Sequence, residues 1–208
     1  MKLRENTFRN LKYCLWMPEN FDATKKYPII FFTHGAGTRG DDLTLLNNNP
    51  VLTRIFPYTD TDKVVICAPQ CSENTWFDEF ETLIAFAETI HEKEYADQKK
   101  FYGVGVSMGG YAMLKLMQTR PRLFTAGIIC CGGGMYWNAA RLKEIPLQLF
   151  HGEKDTVVYP EESRRMAEKI TESGGTVTLT VYPDCEHDCW SRAFDDGENM
   201  KWLMKQEK

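Results

Sequence analysis

Two glycines bracket a serine in Gly105-Val106-Ser107-Met108-Gly109. A serine hydroxyl is a weak nucleophile until a base stands beside it, and the base in turn needs an orienting acid. Glycines on either side of such a serine let the chain turn where any Cβ would collide with a neighbouring segment. Four histidines are present, His34, His91, His151 and His187, and only the last two follow Ser107. His187 lies just past the run ending at Tyr182, where a base can reach back to the serine. Asp155, on the loop after Phe150, brings a carboxylate next to the histidine loop, while Glu153, Asp184 and Asp188 compete for the same role. The expected set is Ser107 as nucleophile, Asp155 as acid and His187 as base. The chemistry is acyl transfer.

Acyl transfer also needs amide N–H groups aimed at the negative oxygen of the tetrahedral intermediate, fixed before the charge appears. One is expected from Met108, directly after the serine at a helix start, and the other from Ala36 in His34-Gly35-Ala36-Gly37. Trp76, Trp137 and Trp190 fall in loops on the same side, where each is expected either to form an aromatic wall for an aryl or sugar group or to cap the core. Trp76 and Trp190, with Gly35 and Gln70, form the expected substrate-binding set. His34 and His151 each precede a glycine at a strand end and are expected to brace loops. His91 is expected on the solvated face of a helix.

These loops need a scaffold that collects them on one edge. Tyr27–Thr33, Lys63–Ala68, Lys100–Val106, Thr125–Cys131, Pro146–Phe150 and Thr176–Tyr182 read as strands. Five are short and continuously apolar, as strands buried on both faces of a parallel sheet are. Helical patterns fall between them at about 80–95, 108–120, 160–173 and 192–205, and 11–17 adds an early antiparallel strand. Functional groups then gather beyond the carboxyl ends of the strands. The expectation is a single α/β domain over residues 1–208, with a mostly parallel central sheet and helices on both faces. Few residues separate Cys131 from Pro146, so no cap or lid domain is expected.

The stretches His34-Gly35-Ala36-Gly37 with Arg39-Gly40-Asp41, Ser107-Met108-Gly109-Gly110-Tyr111, Cys131-Gly132-Gly133-Gly134, His151-Gly152 with Asp155, and His187-Asp188-Cys189-Trp190 together resemble the serine esterases of the α/β-hydrolase superfamily. Within it the chain is similar to the compact branch holding dienelactone-hydrolase-like proteins, prolyl-oligopeptidase-type domains and feruloyl or acetylxylan esterases. The resemblance implies the α/β-hydrolase fold, a Ser107–Asp155–His187 triad, and Ala36 and Met108 as oxyanion-hole amides. Dienelactone hydrolases proper carry cysteine where this chain has Ser107, which favours simple ester hydrolysis over the dienelactone reaction. The implied activity is a serine carboxylic-ester hydrolase acting on small soluble esters or ester groups on a carbohydrate polymer. A peptidase or thioesterase with the same triad, and a non-catalytic binding protein on the same fold, are the alternatives.

Composition narrows the rest. The 208 residues are 43% hydrophobic and 26% charged, with a net charge of −4 and no basic run. That balance fits a folded globular chain and disfavours nucleic-acid partners. No apolar run approaches a membrane span and the first residues lack a signal-peptide core, so a cytoplasmic protein without membrane partners is expected, as monomer or homodimer. The seven cysteines read as reduced, buried thiols. Cys185 and Cys189 flank His187, but with no fourth ligand nearby no metal and no other cofactor is expected.

Overall fold

Short apolar runs rich in β-branched and aromatic residues, each ended by a glycine, proline or polar turn, are long enough for strands and too short for helices. The computed structural model describes residues 1–60 and 63–208. Its strands are β1 (Lys2–Phe8), β2 (Leu11–Met17), β3 (Tyr27–Thr33), β4 (Val65–Pro69), β5 (Ala96–Val106), β6 (Ala126–Cys130), β7 (Leu147–Gly152) and β8 (Val177–Tyr182). They form one sheet in the order β1-β2-β4-β3-β5-β6-β7-β8. β1 pairs with β2, and β2 with β4, antiparallel; the pairs from β4–β3 across to β7–β8 are parallel. The helices are α1 (Thr44–Asn47), α2 (Pro50–Ile55), α3 (Phe80–His91), α4 (Met108–Thr119), α5 (Glu161–Glu172), α6 (Trp190–Ala193) and α7 (Glu198–Met204).

Successive side chains of a strand face opposite sides, so each buried strand feeds two cores. Ile29 and Phe31 of β3 pack with Leu83 and Phe86 of α3, Met117 of α4 and Ile170 of α5. Ile30 and Phe32 of the same strand pack on the other face with Leu52 and Ile55 of α2 and Met200 and Leu203 of α7. The result is helix, sheet, helix. The chain leaves β3 toward β4 on one side and leaves β5 toward β6 on the other, so the loops after β3 and β5 diverge and open a crevice between them.

The early strand 11–17 and the first long strand 27–33 lie where the sequence places them. Three features differ. β1 was not expected, because Lys2–Phe8 has almost no buried face; it holds as an edge through its backbone ladder to β2. α1 and α2 were also not expected, though Asn49-Pro50 is a start signal: the Asn49 side chain accepts from the Val51 and Leu52 N–H groups, with Pro50 in the first turn. The helix expected over 192–205 is two helices, α6 and α7, because Gly197 takes a left-handed φ of 72° between them.

Candidate active site

Ser107 ends β5 and caps α4 with φ 54° and ψ −123°, a region non-glycine residues rarely enter. The turn is held open by its neighbours: a Cβ on Gly109 would stand 2.0 Å from the Thr33 carbonyl oxygen, so only glycine fits. The Ser107 N–H donates to the Cys130 carbonyl at 2.9 Å, pinning the strained residue to β6. Its hydroxyl therefore points out at the crevice between the loops of β3 and β5. His187, on the loop after β8, has Nε2 2.9 Å from Ser107 Oγ and Nδ1 2.7 Å from Asp155 Oδ2. The three side chains form one hydrogen-bonded line.

Asp155 is buried on the loop after β7, and both its oxygens are engaged. Oδ1 accepts the Val157 and Val158 N–H groups at 2.9 Å each, and Oδ2 accepts from His187. Burial pushes this carboxyl up, but the His187 bond and the Val158 and Val157 amides outweigh it and hold it below the ordinary carboxylate range. The competing acids are spent elsewhere. Glu153 pairs with Arg164, Asp184 forms a fork with Arg192 at 2.6 and 2.9 Å, and Asp188 accepts from the Ser191 N–H and hydroxyl.

The cleft in front of Ser107 has a volume of about 470 Å³, and Gly35, Ala36, Ser107, His187 and Trp190 line it. A Cβ on Gly35 would lie 3.4 Å from the Ser107 Cβ, so the loop carrying Ala36 passes directly over the serine. Met108 is the first residue of α4, and its N–H has no carbonyl one turn earlier in the helix to bond. Trp190 stands edge-on to the His187 ring at 5.5 Å. Pro50, Val51 and Val157 are also on the walls. These three were missed, and the Asn49-Pro50 helix start was the available signal for two of them.

Two expected substrate-binding residues are structural. Trp76 is fully buried, and its indole N–H donates to the His34 carbonyl at 3.0 Å, so the ring fills the core beneath the loop and forms no wall. Gln70 is also buried; its amide donates to the Thr38 and Asp42 carbonyls, tying the loop after β3 to the loop after β4. Trp137 is 72% exposed, packs against Tyr136 and does not line the cleft. His91 is half-buried with its ring edge-on to Phe101, where solvation was expected. All seven cysteines are buried and unpaired. Among the described residues, the atoms that converge as metal ligands are those of Cys131, Asp155 and His187, within 4.8 Å of one another, and two of these already bond each other. No described helix is long and apolar enough to cross a membrane.

His34 braces the loop from below: Nε2 accepts the Cys71 N–H at 2.9 Å and Nδ1–H donates to the Gly35 carbonyl at 2.7 Å. This arrangement needs a neutral ring, and burial pushes the imidazole down to about 4. An unfolded histidine takes up its proton near 6.5, so this stabilisation is complete above that pH and is lost as the pH falls toward 4. Chemical denaturation at pH 7 and pH 4 should show the wild type losing about 3 kcal/mol more than His34→Gln. Equal losses in the two proteins would remove His34 from the acid response.

Comparison with known proteins agrees with this architecture. The model of the prolyl oligopeptidase family matches residues 70–138, and that of serine aminopeptidase, S33, matches 134–191. A crystal structure of a thermostable esterase superposes with a TM-score of 0.87 at 30% identity, covering 99% of this chain and 63% of that one. The chain has the α/β-hydrolase fold. The chain is also 29% identical over 135 residues to dipeptidyl-peptidase 5 of Aspergillus fumigatus, covering 56% of this chain and 18% of that protein. It is 24% identical over 179 residues to the probable feruloyl esterase C of Aspergillus terreus, covering 82% of this chain and 64% of that one. A ferulic acid esterase structure shares the fold at 16% identity and a TM-score of 0.74, with 98% of each chain covered. The chain thus spans less than two thirds of the thermostable esterase and about a fifth of the dipeptidyl-peptidase.

Proposed function

We propose that this chain is a serine carboxylic-ester hydrolase that works through an acyl-enzyme on small or polymer-attached esters. The observation that carries the reading is the unbroken line Ser107 Oγ–His187–Asp155, with spacings of 2.9 and 2.7 Å. In this reading His187 takes the Ser107 proton as Oγ attacks the ester carbonyl, then gives it to the departing alcohol. The Ala36 and Met108 amides hold the oxygen that becomes negative. Water repeats the sequence on the acyl-enzyme, with His187 again as base. Asp155 keeps the His187 proton on Nδ1, which leaves the Nε2 lone pair facing Ser107.

The cleft favours short esters. Val157 on its wall is 70% exposed and Ala36 is also exposed, so added methylenes remain in water. An enclosed acyl tunnel gains up to about 0.8 kcal/mol per buried methylene. With p-nitrophenyl acetate, butyrate and octanoate, kcat/KM should therefore stay level or fall with length, and micelles should not activate. A tenfold climb from acetate to octanoate contradicts an open cleft. Methyl ferulate and acetylated xylan extend the same panel to aryl and sugar esters.

The matches to the prolyl oligopeptidase family model and to dipeptidyl-peptidase 5 favour a second reading, cleavage of short peptides. Fluorophosphonate labelling tests the activated nucleophile common to both: Ser107 should label and Ser107→Ala should not. Dipeptidyl and acylaminoacyl p-nitroanilides then separate them, since an esterase turns over the nitrophenyl esters and leaves the anilides.

A further inference from the structure

A second histidine stands against the triad's carboxylate. His151 lies within β7, fully buried, and its Nε2 is 2.8 Å from the Val158 carbonyl and 3.2 Å from Asp155 Oδ2. Both neighbours are acceptors, since Asp155 is ionised and already accepts from His187. Nε2 must therefore carry a hydrogen. On the far side of the ring, Nδ1 is 2.7 Å from Ser163 Oγ, and that hydroxyl is 2.8 Å from the Gly132 carbonyl. Ser163 has one hydrogen to give, and is itself buried on α5.

We propose that His151 is a positioning residue for Asp155, with its Nε2–H held between the Val158 carbonyl and Oδ2. This rests on the reading of Ser107, His187 and Asp155 as a catalytic triad. The turn from Asp155 to Val158 closes on itself through the two amides on Oδ1, and His151 fastens its far end through the Val158 carbonyl. One imidazole thus fixes the turn and places a second positive dipole beside the oxygen that faces His187. That dipole draws charge from Oδ2 and restrains how strongly Asp155 stabilises the protonated His187 ring. The titratable groups facing His151 are Asp155 and, from the loop that opens α6, the Cys189 thiol. α5 presents Ser163, and β8 pairs Val181 beside it.

The test compares the wild type with His151→Leu and His151→Gln, since a glutamine amide can restore a donor near the Nε2 position. His151→Leu should lower kcat about tenfold or more with KM within about twofold, because misplacing a catalytic group acts on turnover. The acid limb of its kcat/KM profile should move to higher pH by about half a unit, as Oδ2 regains the charge that His151 withdrew. His151→Gln should recover most of both effects. Unchanged kcat and midpoint in a folded His151→Leu overturns the proposal, as does a glutamine variant no better than leucine. If the leucine variant does not fold, imidazole 15N shifts of the wild type decide the matter. A protonated Nε2 on His151 supports the proposal, and a bare Nε2 with the proton on Nδ1 overturns it. Failure of the triad reading is recognised separately, as wild-type protein whose Ser107 takes no fluorophosphonate label.

Discussion

Ser107→Ala should lower ester turnover by about 10⁴–10⁶-fold while leaving the fold in place. Only Oγ is removed, and it faces the cleft, bonding no group but His187 Nε2 among the described residues. The strained backbone is unaffected, because alanine also has a Cβ and meets the same turn held by the Cys130 carbonyl. Thermal unfolding within a few degrees of the wild type, together with loss of fluorophosphonate labelling, separates loss of chemistry from loss of structure. Residual activity above a few per cent places the nucleophile elsewhere.

Asp155→Asn should cost about 10⁴-fold in kcat. The carboxylate accepts at both oxygens, two backbone amides on one and His187 Nδ1 on the other. An asparagine keeps one carbonyl oxygen. If that oxygen stays with the Val157 and Val158 amides, the NH2 group meets His187 and forces the proton from Nδ1 to Nε2. The lone pair that should take the Ser107 proton is then gone. The loss should be largest near neutral pH and should ease in strong base, where bulk hydroxide replaces the histidine. Asp184→Asn and Glu153→Gln should remain near wild type, since Asp184 faces Arg192 and Glu153 faces Arg164. A large loss in either one, with Asp155→Asn active, assigns the acid role to that residue.

The residues that meet at the crevice were legible because their constraints are local. Gly109 has to be glycine for steric reasons, and the loops that follow β5, β7 and β8 deliver Ser107, Asp155 and His187 once the parallel sheet is recognised. Burial of loop residues was not legible. Trp76 and Gln70 look like surface residues until the chain folds over them, and their partners His34, Thr38 and Asp42 lie more than two dozen positions away. The edge strand β1 escaped because Lys2–Thr7 is exposed on both faces and held mainly by its backbone ladder, which leaves no alternating pattern. The break at Gly197 was hidden by apolar residues on both sides that continue a helical spacing.

The bond between Ser107 and His187 joins positions 80 apart in sequence, and Asp155 is 32 from His187. Each partner sits at the end of a different strand, and the strand order places β6 and β7 between β5 and β8. The three groups therefore meet only when the central ladders have zipped together. Long-range parallel pairing is slow, because the loop closures precede the contacts that reward them. Recovery of activity during refolding should follow the last structural phase and lag behind helix formation in α3, α4 and α5. A fragment ending before β8 keeps the strained serine turn in its sequence yet lacks its base. Catalytic competence thus reports completion of the sheet from β5 to β8.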